Sequence, residues 1–302
     1  MKMILQKQTI ILLLLLAGTF KFATAQEVDL FKSQDAQDKK DKQTQIDYTT
    51  ATFKTTRLIN GQSIENLGAG ILDVKISHRF NPINEGAYTL YGLDNASMRM
   101  GVDYGINKWL MVGVGRSTFE KTYDFLAKAK LLRQSTGKVN MPFSLNYAGS
   151  MIWKTIKDPS LTNYADRLSY SHQLIIARKF NDFFSLQLAP TFVHYNSVLH
   201  TSQPNDYYSL GVGGRLRLSR RVNLTSEYYY RFTKEEGYVN SFSVGFDIET
   251  GGHVFQFHFT NSTGMTDRTF IEETVNKWSD GGIRFGFNIA RVFTIVKPKE
   301  LK

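Results

Sequence analysis

The six histidines are the residues of this chain best suited to metal binding or acid–base catalysis. Two ligands that share one face of a β-strand must be an even number of residues apart. His253 and His258 are five residues apart, so they point to opposite faces of a strand. His194 and His200 have suitable parity, but we expect His200 in an external loop. The sequence therefore predicts no metal site.

Two glycine-rich segments, GVGRS at 113–117 and GVGGR at 211–215, are candidates for phosphate-binding loops. Neither connects a strand to a helix at the spacing that such loops require. We interpret their glycines as positions that thin a β-sheet or mark a bend. The chain also has no cysteine, which excludes disulfides, zinc–thiolate sites, c-type haem attachment and a lipoprotein anchor. No cofactor is predicted.

The charged residues are more informative. The formal net charge is +10, and a basic surplus can indicate a nucleic-acid partner. The positive charges are scattered singly, however, and the N-terminal sequence indicates export. We therefore expect no nucleic-acid partner, and the direction in which these side chains point becomes the question.

From Gly70 onward, polar and apolar residues alternate with a period of two, which is typical of β-strands. In the first segment, Leu72 and Val74 share one parity, whereas Asp73 and Lys75 share the other. Twelve such segments follow one another, most of them about ten residues long, as expected for tilted strands that cross a bilayer. Short turns and long loops alternate between them. The sequence therefore predicts an all-β fold, a transmembrane up-and-down antiparallel β-barrel of about 12 strands over residues 70–302.

In such a barrel the polar parity faces the lumen. Nine basic and five acidic residues share this parity, which predicts a basic interior. The basic residues are Lys75, Arg79, Arg99, Lys128, Lys130, Arg215, Arg217, Arg231 and Arg284. The acidic residues are Asp73, Asp103, Asp124, Glu227 and Asp247. Two interpretations stay open: an anion-preferring pore, or a solid core in which each carboxylate neutralises a basic neighbour.

The first 25 residues have the features of a cleavable signal peptide. Lys2 and Lys7 precede an apolar run, and Ala23-Thr24-Ala25 is a small-residue cleavage site. Such a peptide predicts export to the bacterial outer membrane. An even number of strands then places both termini in the periplasm.

Residues 26–69 are polar and predict a flexible periplasmic tail or strap, through which a periplasmic partner could bind. Their less polar part, 55–70, is expected to form a strap, with entry into the barrel as the alternative. Twelve strands predict a narrow or plugged lumen, and either residues 53–69 or an inward-folding loop could be the plug. The longest loop, 261–281, is expected to be a mobile surface segment, with one or two helical turns at 269–278 that carry Glu272, Glu273 and Lys277 outward.

Three stretches of the chain resemble a known family. They are FKTTRLINGQSIENLGAGILDVKISHRF (53–80), YGLDNASMRMGVDYGINKWLMVGVGRS (91–117) and EKTYDFLAKAKLLRQS (120–135). The family is the uncharacterised outer-membrane β-barrel family of Bacteroidota, domain of unknown function 5777. The resemblance runs from about residue 50 to the end. It implies an outer-membrane barrel of bacterial source, and it implies no catalytic residues.

The leading function predicted from these features is a narrow pore or transporter for small solutes, with anions favoured by the basic interior and outer-membrane lipid around the wall. The first alternative is a structural or interaction barrel with a closed lumen that binds partners through its loops or periplasmic tail. The second is a lipid hydrolase, because a twelve-stranded outer-membrane phospholipase resembles this chain in size and His172 has lipid-facing parity. No Ser, His and Asn arrangement is specific enough to nominate catalytic residues. We therefore expect no enzymatic activity.

Overall fold

The computed structural model describes residues 45–159, 163–198 and 203–296. The predicted signal peptide, residues 26–44 of the predicted tail and His200 lie outside the described residues. Within the described ranges, no helix is long and apolar enough to cross a membrane.

Twelve antiparallel strands close into a barrel in which each strand pairs with its neighbours along the chain and the last strand pairs with the first. The barrel strands are β2 (Ile71–Pro82), β3 (Ala96–Gly105), β4 (Leu110–Ser117), β5 (Tyr123–Leu132), β7 (Ser144–Trp153), β8 (Leu168–Lys179), β9 (Phe184–Tyr195), β10 (Asp206–Arg217), β11 (Val222–Arg231), β12 (Ser241–Thr250), β13 (His253–Thr260) and β14 (Arg284–Thr294). A separate two-stranded sheet joins β1 (Ile46–Tyr48) to β6 (Ser135–Gly137). The predicted fold class and strand number are confirmed.

The wall of the barrel is polar inside and apolar outside. Lys128 and Asn146 point inward and have no exposed surface, whereas Met100 is 52% and Phe257 is 41% exposed on the outer face. A soluble barrel buries its apolar residues instead. The inverted arrangement is expected where the outer face contacts lipid.

The two ends of the barrel have different connections. At one end, the short-turn end, turns such as 106–109 and 218–221 join the strands. Loops such as 83–95 and 232–240 occupy the opposite, long-loop end, and 118–122 is a short exception there. The connection 133–143 is longer than the other turns at its end because it contains β6, which pairs with β1 and holds the N-terminal segment at this end.

Two segments fill the lumen. Residues 52–67, here called the plug, enter from the short-turn end and are largely buried. Residues 261–274, here called the inward loop, enter from the long-loop end and contain the short helix α1 (Asp267–Ile271). Both positions differ from the favoured expectations of an external strap and a mobile surface loop. The physical reason is that the polar groups of both segments find hydrogen-bond partners inside the barrel.

We expect the closed barrel to resist detergent until it is heated, because no barrel strand has an unpaired edge. Gel electrophoresis in dodecyl sulfate should show different mobilities for unheated and boiled protein. Identical mobilities, together with solubility in the absence of detergent, would contradict a transmembrane wall.

Candidate functional site

The plug forms a tight hairpin whose turn lies deep in the lumen. The amide of Leu58 donates to the carbonyl oxygen of Gly61 at 2.8 Å, and that of Ser63 donates to Thr56 at 3.0 Å. Asn60 and Gly61 are residue types that favour turns. This turn presents consecutive backbone N–H groups toward strand β11.

The buried carboxylate of Glu227 on β11 accepts hydrogen bonds from these N–H groups. The donor–acceptor distances are 3.3 Å from Ile59, 2.8 Å from Asn60 and 3.0 Å from Gly61. Successive backbone N–H groups form an anion-binding nest. Glu227 is thus satisfied by the plug itself, and the nest connects the plug turn to the wall.

Side chains of nine further wall strands also bind the plug or Ala51, the residue before it. Lys128 closes the hairpin by donating to the carbonyl oxygens of Thr56 and Ser63 at 3.0 and 3.1 Å. The other wall contacts come from Lys75, Arg79, Asp103, Asn146, Gln187, Arg215, Ser243, Gln256 and Asn288. The plug is therefore bound around most of the barrel circumference.

The residues predicted to line the lumen do point inward. Two of them, Lys130 and Arg217 near the short-turn end, are partly exposed. The others are buried: Arg99, Asp103, Asp124, Lys128, Arg215, Glu227, Arg231, Asp247 and Arg284. The two open interpretations of these charges differ in whether the carboxylates have basic partners.

Several of the carboxylates are paired. Arg99 binds Asp124 through two hydrogen bonds of 2.9 and 2.5 Å. Lys75 lies 2.8 Å from Asp73 and 2.6 Å from Asp103. In the plugged barrel, these contacts agree with the solid-core interpretation.

The inward loop is held by charged residues that the sequence led us to place outward. Glu272 accepts from Arg231 of β11 at 2.8 Å, and Arg268 lies 2.8 Å from Glu273. Burial raises the pKa of the Glu272 and Glu273 carboxyl groups above its ordinary value, and the paired guanidinium groups partly offset this effect. Asp267 accepts from serine hydroxyl groups of β7 and β8. These pairs explain why the loop folds inward.

Tyr229 of β11 lies where the plug and the inward loop meet. Its ring packs edge-on against Phe270 with the centroids 5.0 Å apart. A Cβ atom at Gly61 would lie 2.0 Å from the Tyr229 hydroxyl oxygen, and one at Gly211 would lie 2.6 Å from the ring. Glycine is therefore required at both positions, and the glycines of GVGGR make room for side chains in the lumen.

The glycines of GVGRS have the same role on the opposite wall. A Cβ atom at Gly115 would lie 2.1 Å from the guanidinium of Arg99. The interpretation of these segments as thinned wall agrees with this packing.

The histidines are dispersed. His258 is buried in the lumen, whereas His253, at the start of the same strand, is partly exposed. His172 lies on the outer face, 2.6 Å from the hydroxyl oxygen of Tyr147. Within the part of the chain that the structure describes, no group of three or more His, Asp or Glu residues could hold a metal ion.

The plug turn and the inward loop are the functional elements whose roles the sequence left open. The signal for the plug was the lower polarity of 55–70 around the turn-forming Asn60-Gly61. The inward loop gave a helical pattern but no indication of its direction.

The family comparison covers both the wall and most of the plug. The model of the membrane bound beta barrel domain, domain of unknown function 5777, matches residues 53–293. The chain belongs to this family. The match begins at Phe53, inside the plug, so the plug is part of the family's domain rather than an addition to it. A bacterial source among the Bacteroidota stays a prediction.

Several solved structures are similar in fold. The NanC porin has 7% identity, covers 74% of this chain and 100% of its own, and has a TM-score of 0.47. The KdgM porin has 11% identity, covers 73% of this chain and 99% of its own, and has a TM-score of 0.47. An outer membrane channel from Pseudomonas putida F1 has 12% identity, covers 76% of this chain and 98% of its own, and has a TM-score of 0.45. A comparison with curated proteins finds no match.

Replacing Glu227 with Ala should loosen the plug, because three buried N–H groups lose their acceptor and each unsatisfied group costs about 1–3 kcal/mol. The chain lacks cysteine, so an Ile59→Cys reporter in the plug turn can be labelled with a water-soluble maleimide. We expect labelling to be at least about tenfold faster in E227A than in the parent. Glu236→Ala, in an exposed loop, is the control that should change nothing. Equal rates in all three proteins would disprove the anchoring role of Glu227.

Proposed function

We propose that this protein is an outer-membrane channel for small solutes whose lumen is closed by the plug and the inward loop. One observation carries the proposal: a separate chain segment, and not the wall's own side chains, fills the middle of the barrel. About eight strands suffice for a lumen that wall side chains fill. A barrel that serves only as a solid support would not need twelve strands and an inserted segment.

The plug is bound in a way that allows it to move. Most of its contacts with the wall are hydrogen bonds from polar side chains, which water can replace at small net cost. Its apolar contacts form one cluster, in which Phe53, Leu58, Ile64 and Leu67 meet wall residues of β4, β5, β7 and β8. Outside the lumen, the N-terminal segment forms three residue pairs with β6, and its further contacts include a hydrogen bond from the Thr49 amide to the carbonyl oxygen of Gln134 and the guanidinium of Arg133 over the Tyr48 ring.

Displacement of the plug supports a preference for anions. Lys128 and Arg79 would lose their acceptors in the plug, and Arg215 would lose the carbonyl oxygen of Ala51. Glu227 is the carboxylate that would lose most hydrogen bonds. Asp103 and Asp124 would keep Lys75 and Arg99 as partners. The opened lumen then carries a net positive charge, which favours small anionic solutes.

We propose no enzymatic activity. The imidazole of His172, the candidate base of a lipid hydrolase, contacts the hydroxyl group of Tyr147 and stacks on Phe192. A hydrolase needs a base oriented toward a nucleophile. These contacts are those of an aromatic residue on the lipid-facing wall.

Deletion of residues 46–67, combined with replacement of residues 262–273 by a short glycine–serine linker, should open the lumen, because the plug and the inward loop both close it. In planar bilayers we expect steady ionic conductance from the deletion variant and little from the full chain, after gel mobility confirms that both are folded. In the deletion variant, Lys128→Gln with Arg215→Gln should reduce the preference for chloride over potassium in the reversal potential.

A folded deletion variant without conductance would reject the channel and favour the interaction barrel with a closed lumen. Conductance with unchanged selectivity in the double variant would reject the anion preference alone.

A further inference from the structure

A cavity of about 320 Å³ lies at the long-loop end, above the inward loop. We call it the mouth cavity. Its walls come from the ends of β9 and β10 and from the loop that contains Glu235 and Tyr238, and Glu272 and Glu273 of the inward loop also line it. It is therefore separate from the plug and from the residues that anchor the plug.

The mouth cavity has an excess of negative charge. Five carboxylates line it against three basic side chains: Glu120, Asp166, Glu235, Glu272 and Glu273 against Lys154, Arg167 and Arg268. Three of the carboxylates have basic partners, since Glu120 pairs with Lys154, Glu272 with Arg231 and Glu273 with Arg268. This sign is opposite to that of the lumen wall.

Glu235 is one of the carboxylates that contribute this negative charge. It accepts a hydrogen bond of 2.8 Å from the hydroxyl group of Tyr207 and another from the side-chain amide of Gln203. Among the residues that the structure describes, no basic side chain forms an ion pair with Glu235. A half-buried carboxylate held by neutral donors leaves its charge available to a ligand.

Tyrosine rings line the cavity near Glu235. The rings of Tyr195 and Tyr207 lie 5.1 Å apart, and Tyr238 lines the same cavity. The guanidinium of Arg268 lies 5.3 Å from the Tyr195 ring centroid and that of Arg231 lies 5.6 Å from the Tyr238 centroid, so a ligand cation can contact only the face of each ring that these groups leave free. Glu272 also lines the cavity, but it is only 1% exposed and is paired with Arg231.

We propose that the mouth cavity binds a small organic cation, with its ammonium group beside Glu235 and against the tyrosine rings. A carboxylate next to aromatic faces is the arrangement that recognises ammonium groups. Because the charge of the cavity opposes that of the lumen, the bound cation is distinct from the solute proposed to pass through the channel. The inference does not depend on that proposal, since the cavity exists in the plugged barrel.

The test is isothermal titration calorimetry of the full-length protein in detergent micelles at low salt. The probes are choline, ethanolamine and 3,3-dimethylbutan-1-ol, which is the neutral carbon analogue of choline. We expect choline or ethanolamine to bind and the neutral analogue to bind at least about tenfold more weakly. Glu235→Gln should weaken cation binding about tenfold or more, and Glu236→Gln, the same change at the next residue, should not.

Equal affinity for choline and its neutral analogue would overturn the proposal, as would equal affinity in E235Q and the parent. No heat from either cation at millimolar concentration would overturn it too. Each variant is first shown to be folded by its heat-dependent gel mobility. The conductance of the plug-deletion variant reports on the channel separately, so the two proposals can fail independently.

Discussion

The structure depends on one constraint: the barrel is wider than the side chains of its inner wall can fill, so the polar groups of those side chains need partners from elsewhere. A buried polar group without a partner costs more free energy than a made hydrogen bond contributes. The plug supplies those partners, with Glu227 bound by three backbone N–H groups and Lys128 bound to two carbonyl oxygens. The closed lumen and the position of the N-terminal segment both follow from this constraint.

Closure is achieved from both ends, by segments of different origin that meet at one side chain. The plug reaches Tyr229 from the short-turn end, and Phe270 of the inward loop reaches it from the long-loop end. A substitution in either segment that moves Tyr229 therefore also affects the contact of Tyr229 with the other segment. Charge separates the two regions further, because the inner wall is rich in basic residues whereas the mouth cavity is acidic.

The sequence predicted the wall of this barrel well and its contents poorly. Alternation in segments such as 72–80 is a local property that each strand repeats, so strand number and the inward direction of residues such as Arg99 and Asp124 followed from it. The site residues at 59–61 act through backbone N–H groups, so the turn-forming Asn60-Gly61 indicated a turn in the sequence but not the carboxylate that the turn binds. The inward loop depends on pairs such as Arg231 with Glu272, which lie 41 residues apart, and no local pattern indicates such a contact.

If the plug closes the lumen, a reversible crosslink between the plug and the wall should control conductance. The side chains of Asn60 and Ser243 lie 3.1 Å apart in a chain that has no native cysteine. With Asn60→Cys and Ser243→Cys added to E227A, we expect bilayer conductance when the pair is reduced and none when it is oxidised. Equal conductance above background in the two states would contradict control by the plug, because the ions would then pass by another route. No conductance in either state would show that movement of the plug does not open the lumen.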